Sequence, residues 1–202
     1  TVKAGGATIL NHPNFGWAVQ AKDMLPVKKL YLFELYNGHP SVRNFGDPRH
    51  PSTEQLWDDL LTQGMTIYGV GSDDAHHFAE WAPKKSNPGR GWVMVQAKEL
   101  TSKALTDAMT RGDFYSSSGV MLKKVLRHTD EISIEVDESA TDKELASPIL
   151  IGRVVKEGKP GYLVEFIGPN GKVIQSSLET KASCPVHLPY LRCKVTRRIK
   201  RE

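Results

Sequence analysis

The stretch Gly69-Val-Gly-Ser-Asp-Asp-Ala-His-His77 follows directly on an apolar run at residues 65–70. A buried strand that ends in glycines and then releases carboxylates and imidazoles delivers polar groups to one end of a sheet. Asp74 and His76 stand two positions apart, so in extended backbone they point to the same side. A carboxylate oxygen beside an imidazole nitrogen suits a borderline divalent metal such as zinc. The alternative interpretation is an Asp-rich turn with incidental histidines.

Two earlier segments repeat this pattern of an apolar run that ends in polar groups. Residues 7–10 read as a short buried strand that Asn11-His12-Pro13 ends. Residues 29–40 form a second apolar run, which delivers Glu34, Asn37 and His39 before another proline. Because proline cannot continue a central strand, each histidine is expected at the carboxyl end of its strand. That edge of a parallel sheet is where functional groups gather, so the three strand ends together predict a metal site.

Helical patterns separate these strands. The clearest spans residues 52–64, with Ser52 or Thr53 as the cap, Leu56, Trp57, Leu60 and Leu61 on one face and Gly64 as the stop. A weak helix is expected over residues 17–24, a strand over 91–97, and a capped helix over 101–111 with Gly112 as its stop. Strands that alternate with helices predict a parallel sheet, or a barrel with helices outside.

The pattern of polar and apolar residues changes after Gly112. Residues 113–120 read as a polar turn, and the runs that follow are short, alternate, and contain no helical pattern. They predict an antiparallel, sandwich-like module, with domain boundaries at 1–120 and 121–202. The predicted strands cover residues 121–126, 132–136, 148–155, 162–167, 173–177 and 190–195.

Composition narrows the classes of function. The chain has 202 residues, 39% hydrophobic and 25% charged, and a net charge of +4 that is concentrated in the stretch from Arg192 to Glu202. No apolar run approaches the ~20 residues of a membrane helix, so no membrane partner is expected. The basic stretch leaves nucleic-acid binding as a minor alternative. Two cysteines, Cys184 and Cys193, are too few for a disulfide framework and are expected as free thiols.

Three motifs carry a resemblance to a known family. Gly-Gly-Ala-Thr-Ile-Leu-Asn-His-Pro at 5–13, Phe-Glu-Leu-Tyr-Asn-Gly-His at 33–39 and Gly-Ser-Asp-Asp-Ala-His-His at 71–77 resemble the later motifs of the PHP (polymerase and histidinol phosphatase) superfamily. Residues 112–120, followed by a β module, resemble its branch related to carbaryl and carbamate hydrolases (CehA/McbA-like). The resemblance implies an α/β fold: the C-terminal part of a distorted (β/α)7 barrel, followed by a small antiparallel β-sandwich-like module.

The resemblance also implies roles for individual residues. The family site holds two or three divalent metals, often zinc, manganese or iron, and His12, Asp74 and His76 match its ligands. His39 and His77 are the candidate proton-transfer groups. Glu34, Asn37, Asp73 and Arg90 are the candidates for binding substrate or holding the ligands in place, and the Arg90 guanidinium suits a phosphate or carboxylate.

The chain also departs from the family pattern. The His-x-His strand and the further ligands that open the family barrel do not precede the motif at residues 5–13. The 202 residues are therefore expected to be a fragment, or the missing N-terminal half of the barrel is expected to be supplied elsewhere. The three matched ligands suffice for one metal rather than two. The leading hypothesis is a metal-dependent hydrolase, a phosphoesterase that uses a metal-activated water on a small phosphate substrate. Hydrolysis of a carbamate, ester or amide is the alternative within enzymes, and a non-catalytic fragment or binding module is the alternative outside them.

Overall fold

A computed structural model of the chain describes residues 1–147 and 159–198. The chain divides into two compact units, Thr1–Ser118 and Gly119–Glu202. None of the helices in the described ranges is long and apolar enough to cross a membrane. The predicted strand at 148–155 and the last residues of the basic stretch, 199–202, lie outside the described residues.

The first unit is built on a parallel sheet of three strands in the order β1-β2-β3. Helices α1 and α2 contribute to the core beside it, where Met24, Phe33, Leu60 and Ile67 are almost completely buried. A separate antiparallel hairpin pairs β4 with β5, and α3 connects these two strands. The elements are β1 (Ile9–Leu10), α1 (Ala21–Met24), β2 (Leu32–Asn37), α2 (Thr53–Thr62), β3 (Tyr68–Ser72), β4 (Trp92–Val95), α3 (Ser102–Arg111) and β5 (Phe114–Ser117).

The expectation of a (β/α)7 barrel is wrong. The described residues form four small sheets, and no barrel closes among them. A barrel of the (β/α) type is built from parallel strands, whereas among the described residues the parallel pairing is limited to β1-β2 and β2-β3. The alternation of strands and helices was misleading because β5 returns antiparallel to β4 after α3. Residues 114–117, read in the sequence as part of a polar turn, are that strand.

The glycines of strand β3 are required by close neighbours. The pairing of β2 with β3 is irregular between Glu34 and Tyr36, and the side chain of Leu35 lies against Gly69. A Cβ atom on Gly69 would lie 2.6 Å from the Leu35 Cβ, and one on Gly71 would lie 2.9 Å from the Trp92 carbonyl oxygen. Glycine therefore lets the β2 irregularity and the β4 backbone approach β3 closely.

The second unit contains two three-stranded antiparallel sheets, ordered β10-β7-β6 and β11-β8-β9. Their apolar side chains share one core, in which Val164 and Phe166 are fully buried. The expectation of a module without helices is wrong, because α4 follows β7; Asp137 caps it by accepting the Ala140 N–H. The elements are β6 (Leu122–Arg127), β7 (Glu131–Val136), α4 (Glu138–Leu145), β8 (Gly161–Gly168), β9 (Lys172–Ser177), β10 (Lys181–Pro185) and β11 (Arg192–Arg198).

The two cysteines are free thiols in this second core. Cys184 is 3% exposed, and burial raises the pKa of its thiol. Burial, assisted by the neighbouring Cys184, raises the pKa of Cys193 to about 12.

Since the thiolate is the reactive form, we expect neither cysteine to be alkylated by iodoacetamide at pH 8 in the folded protein. Mass spectrometry should show two additions only after unfolding in guanidinium, and rapid labelling of the native chain would contradict this prediction.

Candidate functional site

The carboxyl ends of β1, β2 and β3 meet at one edge of the parallel sheet. Because the strands run in the same direction, His12, His39 and Asp74 follow their strands at this edge. The backbone turns sharply there, with φ of 31° at His12 and 46° at Asp74. These left-handed conformations are uncommon outside glycine, and Asp and His are among the residues that tolerate them best. The sequence therefore places polar side chains at positions where each strand must stop.

Glu34 is the centre of the hydrogen-bond network at this edge. It lies on β2, is 5% exposed, and accepts hydrogen bonds from all three strands or strand ends. Its Oε2 accepts the His12 backbone N–H at 2.5 Å and the Asn37 side-chain amide at 2.8 Å, and its Oε1 accepts the Ser72 hydroxyl at 2.6 Å. Both carboxylate oxygens are thus bonded to groups within the chain. Glu34 therefore links the ends of the three strands, and its role in holding metal ligands in place stays a prediction.

Asn37 connects Glu34 to the predicted ligands. Its side chain is 1% exposed; the amide also donates to Asp74 Oδ2 at 3.2 Å, and its oxygen accepts the His39 N–H at 2.8 Å. Asn44, which no sequence motif indicated, holds the backbone of Asn37 with its side chain. Its Oδ1 accepts the Asn37 N–H at 3.0 Å, and its Nδ2 donates to the Asn37 carbonyl oxygen at 2.8 Å. The only sequence signal for Asn44 is its place in a loop rich in Gly, Pro and Asn.

The hydrogen bonds of His76 and His39 determine which ring nitrogen carries the proton. His76 Nδ1 lies 2.7 Å from the Asp74 carbonyl oxygen, which can only accept, so Nδ1 carries a hydrogen and, in the neutral ring, Nε2 carries the lone pair. His39 Nδ1 accepts the Ser41 N–H at 3.1 Å, so the proton of His39 is on Nε2. The two rings meet edge to face, with centroids 5.4 Å apart. One imidazole therefore offers a lone pair and its neighbour offers an N–H.

Asp73 and Arg90 build the loop that follows β3. Asp73 Oδ1 accepts the backbone N–H groups of Arg90 at 2.6 Å and Gly91 at 2.9 Å. The Arg90 guanidinium is 2% exposed and donates to the carbonyl oxygens of Ala82 at 2.6 Å and Pro83 at 3.2 Å. Burial lowers the pKa of Arg90, and the Asp73 carboxylate acts in the opposite direction. These contacts support a structural role for both residues, and their role in substrate binding stays a prediction.

The donor atoms at the edge suit a metal in type but not in number. Asp74 Oδ1 lies 3.8 Å from His76 Nδ1, and the side chain of His76 is 60% exposed. A metal-binding histidine commonly donates its other N–H to a carbonyl oxygen, as His76 does. Within residues 1–147 and 159–198, however, no three His, Cys, Asp or Glu side chains form a group that could hold a metal ion. His12, the third predicted ligand, packs its ring edge to face with Phe15 at 5.6 Å.

Comparison with known proteins adds no assignment to this geometry. No family model, curated protein or solved structure matches the chain.

Proposed function

We propose that the edge formed by the ends of β1, β2 and β3 is part of the active site of a metal-dependent hydrolase, with phosphate esters as the first substrate class. The observation that carries the proposal is the pair of histidines in edge contact. His76 offers the lone pair that a metal ligand needs, and His39 offers an N–H that can donate a hydrogen bond to a developing oxyanion. Metal-assisted hydrolysis of a phosphate ester can use both functions side by side.

Asp74 and His76 would supply two of the ligands of one divalent ion, zinc, manganese or iron. When bound, such an ion lowers the pKa of a coordinated water and polarises a phosphoryl oxygen. Asn37 orients the Asp74 carboxylate through its amide, and it fixes the backbone of His39 through its side-chain oxygen. His39 can then donate a hydrogen bond from its Nε2–H to the oxygen of the leaving group, where it stabilises the developing negative charge.

A non-catalytic binding module is the rival function. It is favoured by the hydrogen bonds within the chain that already occupy both oxygens of Glu34 and the side chain of Asn37. The alternative of a carbamate or ester hydrolase rests on the resemblance of residues 112–120, and the contacts of this segment give it less support. Ser116 in this segment donates its hydroxyl to the Gly69 carbonyl oxygen at 2.6 Å and so holds β5 against β3.

The test measures metal content and turnover of the full chain. The purified protein is loaded separately with Zn²⁺, Mn²⁺ and Fe²⁺, the bound metal is quantified by mass spectrometry, and hydrolysis of an aryl phosphate and an aryl carbamate is followed. We expect one ion per chain and turnover of the phosphate. His76→Ala should lower kcat/KM by on the order of 100-fold or more, because it removes a ligand.

His187→Ala is the matched control, since His187 is an exposed histidine of the second unit. It should leave metal content and turnover unchanged. Stoichiometric metal without turnover of either substrate would favour the binding module. Neither metal nor turnover would overturn the proposal, and preferential turnover of the carbamate would move it to that substrate class.

A further inference from the structure

Ser86 lies beneath the two adjacent histidines that follow β3. It is 1% exposed, and its carbonyl oxygen accepts the backbone N–H of His76 at 2.9 Å and that of His77 at 3.0 Å. Its hydroxyl oxygen also lies 3.1 Å from the His76 backbone nitrogen and 3.1 Å from His77 Nδ1. A single buried serine therefore contacts both histidines through its backbone and its side chain.

The hydrogen of this hydroxyl determines the tautomer of His77. The His76 N–H donates to the hydroxyl oxygen, so this contact leaves the hydroxyl hydrogen available for another acceptor. Among the described residues, His77 Nδ1 is the acceptor that lies within hydrogen-bonding distance of the Ser86 hydroxyl. A buried hydroxyl that does not donate is costly, so the hydrogen is directed to Nδ1. In this arrangement the neutral ring of His77 carries its own hydrogen on Nε2.

We infer that Ser86 is a positioning residue that holds His77 in the tautomer opposite to that of His76, so that His77 offers an N–H to an anionic oxygen of the substrate. The neighbouring His76 is fixed the other way by the Asp74 carbonyl, with its lone pair on Nε2. Two consecutive imidazoles thereby receive different tasks from their hydrogen-bond partners. The inference rests on the proposed function for the identity of the oxygen, which belongs to a phosphoryl group or its leaving group.

A purely structural Ser86 would make the same backbone contacts but would not control the ring of His77. Nitrogen-15 NMR of histidine-labelled protein at pH ~8.5, where an ordinary imidazole is neutral, separates the two cases. We expect His77 to show an unprotonated Nδ1 and a protonated Nε2, and His76 to show the reverse. In Ser86→Ala, His77 should become a mixture of tautomers, and Ser86→Thr should restore the single form because it retains the hydroxyl. A protonated His77 Nδ1 in the wild-type protein would overturn the inference.

The ligand is tested without turnover by titration with inorganic phosphate. We expect the His77 Nε2 resonance to move on addition of phosphate and the affinity to fall several-fold in Ser86→Ala. A resonance that phosphate leaves unmoved would overturn the assignment to an anionic oxygen. In activity assays, Ser86→Ala should lower kcat by about tenfold with little change in KM. If the wild-type protein binds phosphate through His77 but hydrolyses nothing, the proposed function fails while the role of Ser86 stands.

Discussion

Replacement of Glu34 by alanine is expected to lower the free energy of unfolding of the first unit by about 3–5 kcal/mol. The substitution leaves the His12 N–H, the Asn37 amide and the Ser72 hydroxyl without their acceptor in a site that is 5% exposed. Each buried donor that loses its partner costs about 1–3 kcal/mol. The carboxylate is therefore expected to matter more for holding the sheet edge together than any other single polar side chain of this network.

Tryptophan fluorescence during urea denaturation measures this effect selectively, because all four tryptophans lie in the first unit. Glu34→Gln should cost only about 1–2 kcal/mol, since the amide oxygen can still accept and the amide nitrogen can donate to Ser72. Glu99→Ala is the surface control, because Glu99 is exposed, and it should change stability by less than about 0.5 kcal/mol. Equal midpoints for Glu34→Ala and Glu99→Ala would show that the network does not hold the unit together.

Asn37→Asp is the second substitution with a large expected effect. It keeps the size of the side chain but turns a donor that lies 2.8 Å from Glu34 and 3.2 Å from Asp74 into an acceptor. Three carboxyl groups, two of them buried, would then lie next to one another, and like charges at this separation are strongly unfavourable. We expect a loss of about 3 kcal/mol in the free energy of unfolding of the first unit at pH 7.

Asn11→Asp is the matched control, because Asn11 is exposed, and it should have almost no effect. The double variant Glu34→Gln with Asn37→Asp restores a donor opposite the new carboxylate, so it should recover part of the lost stability. In a double-mutant cycle the two positions should couple by about 1–3 kcal/mol. Strictly additive effects would refute a direct interaction between the two side chains.

Local signals in the sequence predicted several elements because neighbouring residues determine them. Ser52 caps α2 by accepting the Gln55 N–H at 3.1 Å, as the cap pattern indicates. Gly112 ends α3 with a φ of 76°, a conformation that glycine adopts without strain. Helix α4 escaped detection because Glu138–Leu145 contains few apolar residues, so the helical period is weak. Its buried Thr141 bonds instead to the backbone of Met121, a contact that the local pattern does not encode.

In the candidate site, too, neighbouring residues in the sequence predict some features, whereas others depend on strand pairing between distant segments. The position of His39 at a strand end follows from an apolar run and Pro40, and the positions of Asp74 and His76 follow from an apolar run that ends in glycines. The convergence of three donors on Glu34 depends on the register of β1, β2 and β3 and on the irregularity after Glu34, which no local pattern specifies. The barrel prediction failed for a related reason, because the pairing partner of β4 is determined by contacts distant in sequence.

The loop after β3 is held in shape by hydrogen bonds between its own residues. Asn87 donates to the carbonyl oxygens of His77 and Glu80, and Arg90 donates to that of Ala82. Two aromatic residues on the same loop, Phe78 and Trp81, are 67% and 53% exposed. Because these hydrogen bonds lie within the loop and do not involve the two aromatic side chains, we expect the loop to tolerate substitution at Phe78 and Trp81. These two positions could therefore be randomised in a library to select new ligands without disturbing β3.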